Sequence, residues 1–253
     1  MILTICGKGG CGKSTITTLL AREFSNRGKK VLVMDCDESN FGLQLQLGMD
    51  LPESLTDYVG GKGQIIEYLA GGRANIPQLI KGEFTIDTIP GEVYSEKEGI
   101  KLMTPGKIQQ ANEAGACAFS VIVSQFIEKL KIEDNEIVIL DMEAGTEHFG
   151  RGTDNISDAI LMIVDSSYES LCLSEKIAGM SESIEKKTYF ILNKVTEDDE
   201  PVMREKVSKN GTIAAVIPFN RAIQRKGLVG EAIDVQQPEI AGAVEILLQE
   251  HTA

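Results

Sequence analysis

An apolar segment that runs directly into a glycine-rich loop constrains this chain more than any other feature. Residues 1–6 read MILTIC, and residues 7–16 continue as GKGGCGKSTI. The first segment is typical of a β-strand that is buried on both faces, and helical periodicity follows the loop. A strand, a glycine turn and a helix in this order predict the first unit of a mostly parallel sheet with helices on both faces.

The same alternation of apolar runs and helical patterns continues along the chain. We predict strands over residues 1–6, 30–35, 83–89, 100–103, 136–142, 159–165, 188–193 and 213–218, and helices over about 14–26, 117–131, 169–184, 200–209 and 239–250. The pattern indicates a doubly wound α/β fold that forms a single phosphate-binding domain over residues 1–253, a length sufficient for one core. In the irregular, glycine-containing region 50–115 we expect a lid or an insertion.

Composition and charge exclude several classes of protein. The formal net charge of −13 disfavours a nucleic-acid partner, because a phosphate backbone repels an acidic surface. No apolar run approaches the roughly 18 residues of a membrane helix, and the amphipathic tail 238–253 carries no Lys or Arg to bind anionic lipid. Five scattered cysteines do not suggest a disulfide framework. We therefore expect a cytoplasmic protein that binds neither nucleic acid nor membrane.

The glycine loop itself matches two nucleotide-binding motifs. Gly7, Gly9 and Gly12 fit the G-x-G-x-x-G of dinucleotide-binding folds, whereas residues 7–14 fit the G-x-x-x-x-G-K-S of triphosphatases. Lys13 and Ser14 favour the second motif, because a triphosphate site needs a lysine for the β- and γ-phosphates and a hydroxyl for Mg²⁺. A dinucleotide site needs neither of them. A redox enzyme that binds a dinucleotide stays as the alternative.

Acidic residues that end two further strands support the triphosphatase. Asp35 ends the second strand, where a dinucleotide fold would have its ribose-binding acid, but Asp37 follows closely. A Mg²⁺ ion and an attacking water can use both carboxylates. Asp141 ends the strand 136–142 and precedes Gly145, which is free to contact a γ-phosphate. The dinucleotide hypothesis leaves this second acidic strand end unexplained.

With Lys8 at its second position, the loop GKGGCGKS resembles that of a superfamily of deviant phosphate-loop ATPases. This superfamily contains the nitrogenase iron protein, the septum-site and plasmid-partition ATPases and the CO dehydrogenase nickel-insertion ATPases. VLVMDCDESN (31–40) resembles its first switch, and DMEAGTEHFGRGT (141–153) resembles its second switch, especially that of the nickel-insertion branch. The resemblance implies a nucleotide-dependent homodimer in which Lys8 reaches the partner's nucleotide, and it implies that Asp37 orients the attacking water.

The same resemblance implies the rest of the nucleotide site. FILNKV places Asn193 where the family recognises adenine, and VIPFN places Pro218 and Phe219 beside the base. We predict ATP and Mg²⁺ as cofactors. The predicted catalytic residues are Lys8, Lys13, Asp37 and Asp141, and the predicted Mg²⁺ ligands are Ser14, Asp35 and Asp141. The predicted nucleotide-binding residues are Gly7, Lys8, Gly9, Gly10, Cys11, Gly12, Lys13, Ser14, Thr15, Gly145, Asn193, Lys194, Pro218 and Phe219.

The metal-handling branches of this superfamily place cysteines near the segment AGACAFSVIVSQFIEKL. Cys117 stands alone there, without the C-x-C of the nickel-insertion ATPases, so two subunits would supply two of the four ligands of a tetrahedral site. His148 of each subunit, or added thiols or water, would complete a Ni²⁺ or Zn²⁺ site; alternatively, Cys117 is a small apolar residue of a packed helix. We expect delivery of nickel to a client of CO dehydrogenase type, with a metal-free switch for a protein partner as the alternative.

Overall fold

A single eight-stranded sheet runs through the protein. The computed structural model describes residues 1–70, 80–108 and 116–251. Its strands are β1 (Ile2–Gly7), β2 (Lys30–Asp35), β3 (Ser95–Lys97), β4 (Ile100–Met103), β5 (Glu136–Asp141), β6 (Ala159–Val164), β7 (Lys187–Val195) and β8 (Thr212–Pro218). They lie in the order β3-β4-β2-β5-β1-β6-β7-β8. Every neighbouring pair is parallel except β3 and β4, which are antiparallel.

Ten helices accompany these strands in the described part of the chain. They are α1 (Lys13–Asn26), α2 (Leu43–Leu47), α3 (Leu55–Tyr58), α4 (Lys62–Ala70), α5 (Ala116–Lys129), α6 (Glu147–Arg151), α7 (Tyr168–Ser183), α8 (Glu200–Val207), α9 (Arg221–Val229) and α10 (Pro238–His251). Short 3₁₀ turns occupy Ile86–Thr88, Gly91–Val93 and Thr153–Ile156. Within the described ranges, no helix is both long and apolar enough to cross a membrane.

Helices cover both faces of the sheet, which confirms the predicted doubly wound fold. On one face, Leu20 and Phe24 of α1 join a cluster with Leu247 of α10. On the other face, Phe126 of α5 belongs to a second cluster and Ile177 of α7 to a third. Strands β5 and β6 are buried along their whole length, as strands covered on both faces must be. The predicted strands and helices match the observed ones to within two residues, with one exception.

The exception is the strand predicted over residues 83–89, which is wrong. Phe84 forms only an isolated parallel bridge with Leu130, and the chain then turns into the 3₁₀ segment Ile86–Thr88. The side chains of Thr85 and Thr88 cap this turn reciprocally. Such local hydrogen bonds from threonine to the backbone compete with a strand ladder, so the apolar alternation of the segment does not produce a strand.

The region 50–115 contributes the edge of the main sheet. It holds α3, α4, β3 and β4 in its described residues, and β4 pairs in parallel with β2. Residues 71–79 and 109–115 lie outside the described part of the chain. A lid or an insertion in this region stays a prediction.

Candidate functional site

The glycine loop lies at the carboxyl end of β1, between β5 and β6 in the sheet. Gly10 and Gly12 have φ values of 79° and 105°, a left-handed backbone conformation that glycine adopts with little strain. Helix α1 begins at Lys13, and no side chain of the described residues caps its first turn. The free N–H groups of that turn therefore face the loop as a ready-made anion site.

A cavity of about 620 Å³ opens beside this loop, a volume typical of small-molecule sites. Eleven of the residues predicted from the sequence line it: Gly9, Gly10, Gly12, Lys13, Ser14, Thr15, Asp37, Asn193, Lys194, Pro218 and Phe219. Five polar residues of the lining were not among the predicted site residues: Ser39, Asn40, Gln46, Asn220 and Gln224. The structure thus brings the loop, the first switch and the ends of β7 and β8 around one cavity.

Asp141 and Ser14 form an oxygen-rich corner next to the cavity. Asp141 is fully buried, and this burial raises the pKa of its carboxyl to about 6, although nearby Ser14, Lys13 and Thr17 act in the opposite direction. Neither carboxylate oxygen has a well-aligned hydrogen-bond partner among the described residues. A buried, unsatisfied carboxylate beside a hydroxyl is a donor set that fits Mg²⁺.

Asp35 has a different environment, although it faces Asp141 in the register of β2 and β5. Its Oδ2 lies 2.7 Å from Nζ of Lys107, and both side chains are almost completely buried. Burial raises the pKa of Asp35 to about 7, while the ammonium group of Lys107 opposes the rise. Asp35 was predicted as a Mg²⁺ ligand, but Lys107, which the sequence did not indicate, already provides a cation for it.

The first switch is held in place by polar contacts to the phosphate loop and within itself. Oδ1 of Asp37 accepts hydrogen bonds from the backbone N–H and the hydroxyl of Ser39, at 3.1 and 2.7 Å. Nδ2 of Asn40 donates to Oγ of Ser14 at 2.9 Å. The half-buried carboxylate of Asp37 lines the cavity, so it lies on the solvent side of the Asp35–Asp141 pair.

The opposite end of the cavity is built from the ends of β7 and β8. Nδ2 of Asn193 donates to the carbonyl of Cys11 at 2.8 Å, and Nζ of Lys194 donates to the carbonyl of Gly10 at 2.6 Å. A Cβ on Gly12 would overlap the amide of Asn193, so the loop and β7 touch at this glycine. Phe219 is half exposed beside this contact.

Lys8 does not line the cavity in the described structure. Its Nζ lies 3.3 Å from Oγ of Ser167 and 3.6 Å from Oε2 of Glu169, at the start of α7. The side chain is about one-third exposed. Lys8 therefore points along the protein surface and away from the cavity beside its own phosphate loop.

The second switch is folded around a buried histidine. His148 is fully buried, and its Nδ1 lies 2.8 Å from Oδ2 of Asp154, which is equally buried. The His148 side chain is thus enclosed within its own subunit in the described structure, and its role as a transition-metal ligand stays a prediction. Short helix α6 directs the ring inward, whereas Gly145 stays at the loop and donates its N–H to the carbonyl of Gly7 at 3.3 Å.

Cys117 lies in the first turn of α5, but its side chain is outside what the structure describes. Within the described residues, no three His, Cys, Asp or Glu side chains are grouped so that they could hold a metal ion. Cys6 and Cys11 are buried and Cys172 is exposed. A transition-metal site at Cys117 stays a prediction.

A phosphate loop at the end of a central strand, two acidic strand ends and one adjoining cavity define a phosphate-loop nucleotide-binding protein. A model of the CobQ/CobB/MinD/ParA nucleotide binding domain matches residues 2–233. The chain belongs to this family and is an ATPase. The family assignment excludes the alternative of a dinucleotide oxidoreductase.

Individual relatives agree with this assignment. An uncharacterized ATP-binding protein from Methanocaldococcus jannaschii is 46% identical, over 98% of this chain and 99% of that protein. The carbon monoxide dehydrogenase accessory protein CooC from Rhodospirillum rubrum is 28% identical, over 91% and 88% of the two chains. Among solved structures, the septum site-determining protein MinD from Pyrococcus horikoshii, complexed with Mg-ADP, has a TM-score of 0.68 at 20% identity, over 99% and 95%. This last likeness shows the fold.

Proposed function

We propose that this ATPase binds ATP and Mg²⁺ in the cavity beside its phosphate loop and acts as a nucleotide-dependent homodimer that delivers nickel to a CO dehydrogenase-type enzyme. The convergence of Lys13, the Asp141–Ser14 corner and Asp37 on one cavity supports the nucleotide chemistry. The similarity to CooC along most of both chains, together with the second-switch sequence, supports the delivery role.

The phosphates of ATP fit against the loop and the first turn of α1. Lys13 is nearly buried at the wall of the cavity and neutralises the β- and γ-phosphates, while the free N–H groups of α1 donate to their oxygens. Ser14 and Asp141 are the residues that would hold Mg²⁺. When bound, this ion would supply positive charge that offsets the negative charge of the phosphate oxygens.

Asp37 positions the water that attacks the γ-phosphorus atom. Its Oδ1 is fixed by Ser39, which leaves Oδ2 to accept a hydrogen bond from water. The attack forms a bond from the water oxygen to the γ-phosphorus and breaks the bond to the β–γ bridging oxygen, giving ADP and phosphate. Such positioning is a large part of catalysis in phosphoryl transfer.

Asn193 favours adenine over guanine because a hydrogen bond to the phosphate loop orients its side-chain amide. One N–H of its Nδ2 donates to the carbonyl of Cys11, which orients the amide, and its Oδ1 is an acceptor that can contact a base. Such an acceptor pairs with the C6 amino group of adenine, whereas guanine has a carbonyl oxygen at that position. Pro218 and Phe219 then cover the faces of the base.

Lys8 acts in the partner's site. In the described monomer its ammonium group rests against Ser167 and Glu169, outside its own cavity, which fits a cation that serves another subunit. A second cation on the transferred phosphate stabilises charge only when two subunits close. Closure of the dimer would therefore be coupled to ATP, and opening would follow hydrolysis.

Metal content after anaerobic loading tests the delivery role. Wild type, Cys117→Ala and Cys172→Ala are each loaded with nickel or zinc, with and without ATP, and analysed by mass spectrometry. We expect about one metal ion per dimer in wild type and in Cys172→Ala, and loss of the ion in Cys117→Ala. Cys172 is the matched control because it is an exposed thiol on another helix.

A switch that acts on a protein partner without a metal is the second candidate. The lack of a metal-ligating cluster among the described side chains and the missing C-x-C favour it. Metal at background level in wild type would overturn nickel delivery and support this second function, and it would leave the nucleotide chemistry intact.

A further inference from the structure

Lys107 is a buried cation that the nucleotide chemistry described so far does not use. Its side chain is 2% exposed, and it lies in the segment that follows β4, which we call the 104–108 segment. A lysine is rarely buried so completely unless its ammonium group is paired. Here the ammonium group has two partners, and both belong to the first switch.

The two contacts of Lys107 differ in kind. Nζ forms the ion pair with Oδ2 of Asp35 at 2.7 Å, and it donates to the main-chain carbonyl of Asp37 at 2.6 Å. Asp35 is at the end of a rigid central strand, whereas Asp37 lies in the loop that lines the cavity. The lysine therefore ties the backbone of the proposed water-positioning residue to the end of β2.

Two further hydrogen bonds join the same two segments. Oγ1 of Thr104 donates to the carbonyl of Asp35 at 3.3 Å, and the N–H of Ile108 donates to the carbonyl of Glu38 at 3.1 Å. The first switch is thus attached to the 104–108 segment on both sides of Asp37. A displacement of Asp37 by nucleotide would act on this segment directly.

The 104–108 segment in turn contacts α5. A Cβ on Gly106 would overlap the ring of Phe119, so the backbone of Gly106 lies directly against this ring. Phe119 is 2% exposed and belongs to the first turns of α5. A small cavity lined by Cys36, Glu38, Pro105 and Phe119 marks the place where the first switch, the segment and α5 meet.

We propose that Lys107 is a positioning residue of the ATPase, which holds the backbone of Asp37 in its working place and couples the first switch to the start of α5. The inference rests on the proposed role of Asp37. It assigns to Lys107 two effects, one on the rate of hydrolysis and one on the response of α5 to nucleotide. In a solely structural role, the lysine would contribute to stability alone.

Hydrogen exchange of the wild-type protein provides the first test. Exchange of backbone amides in the 104–108 segment and in the first two turns of α5 is compared with and without a non-hydrolysable ATP analogue. We expect slower exchange in both when the analogue is bound. Unchanged exchange in both segments, under conditions where the phosphate-loop peptide is protected, would overturn the coupling.

Lys107→Met provides the second test, with Lys101→Met as its matched control. Lys101 is also a buried lysine on the same part of the chain, and it also donates to a main-chain carbonyl, that of Ile86 at 2.7 Å. The described partners of its side chain, Ile86 and Tyr94, lie outside the first switch. We expect Lys107→Met to lower kcat about tenfold or more with KM for ATP changed much less, because misplacement of a reacting group affects the transition state. Lys101→Met is expected to keep both constants even if its melting temperature falls.

Removal of Lys107 alone leaves a buried carboxylate without its cation, which can prevent folding. The double variant Asp35→Asn, Lys107→Met removes both charges and is expected to fold, yet it still lacks the donor to the carbonyl of Asp37. A kcat in this double variant equal to that of wild type would overturn the proposal, and so would equal losses in Lys107→Met and Lys101→Met.

The kinetics of Asp37→Ala are measured in parallel. Full turnover in that variant would refute the proposed role of Asp37 itself, which separates that failure from a failure of Lys107.

Discussion

At the scale of single residues, two nearby aspartates of the first switch have different chemistry because of their surroundings. Asp35 is buried and paired with Lys107, so its charge is used inside the protein. Asp37 is half-buried, is fixed by Ser39 through one oxygen, and lines the cavity. We therefore propose Asp37, rather than Asp35, as the residue that acts on a water molecule, because it lines the cavity and its Oδ2 is not used by Ser39.

Replacement of Asp37 by alanine should separate binding from hydrolysis. The phosphate loop, Ser14 and Asp141 stay in place, so we expect ATP affinity within a few-fold of wild type and turnover lower by about a hundredfold or more. Equilibrium binding of ATP and release of phosphate are the two measurements. Asp198→Ala, at an exposed loop acid, is the control, and turnover of Asp37→Ala at the level of this control would contradict the assignment.

Two cysteines should differ strongly in reactivity. Burial raises the pKa of Cys11 to about 11, so at pH 8 only about one thiol in a thousand is a thiolate, and the group is also enclosed. Cys172 is exposed on α7. Alkylation with iodoacetamide, followed by peptide mass mapping, should modify Cys172 in minutes and leave Cys11 unmodified. Equal rates at the two sites would show that the phosphate loop is open in solution.

At the scale of elements, the join between the phosphate loop and α1 depends on one glycine. Gly12 has a φ of 105°, and a Cβ there would overlap the amide of Asn193. We expect Gly12→Ala to lose most of its ATP affinity, because both the loop and its contact with β7 must shift. Calorimetric titration with ATP measures this effect.

Gly179→Ala is the matched control for this glycine substitution. Gly179 lies on the exposed side of α7, with open space where a Cβ would be. Here we expect an increase of about 0.5–1 kcal/mol in the free energy of unfolding, since alanine is the better helix former, with unchanged ATP affinity. Normal ATP binding by Gly12→Ala would contradict the described loop geometry.

Long apolar strands and amphipathic helices could be predicted from the sequence because their burial leaves a regular pattern. Helix α9 was not predicted, because it is short and none of its residues is fully buried, although Ile223 packs against the core. Strand β3 is three polar residues long and pairs only at the sheet edge. Strand β3 exists through its pairing with β4, which no local pattern records.

The residues of the candidate site also fall into two groups: those that a contiguous motif predicts and those that only the fold brings together. The phosphate loop is a contiguous motif whose residue types follow from phosphate chemistry, so it was predictable as a unit. The ion pair of Lys107 with Asp35 depends on β4 lying beside β2, which brings together residues far apart in the chain. The inward direction of His148 depends on the geometry of short helix α6, which the sequence alone does not predict.

At the scale of the whole molecule, the proposed mechanism of hydrolysis requires a second copy of the chain. The cavity contains Lys13 as a cation from its own loop, while Lys8 lies at the surface near the start of α7. A closed dimer would bring the partner's Lys8 to the γ-phosphate, and this contact would make hydrolysis depend on assembly.

Complementation between two inactive variants tests this requirement most directly. Lys8→Ala and Asp37→Ala are purified separately, mixed in equal amounts, and assayed for phosphate release with ATP. If Lys8 acts in the partner's site, a mixed dimer has one complete site, formed by Asp37 of one subunit and Lys8 of the other. Half of the dimers are mixed and one of their two sites is intact, so we predict a recovery to about a quarter of wild-type turnover. Turnover of the mixture no higher than the average of the two variants alone would contradict a site completed by the second subunit.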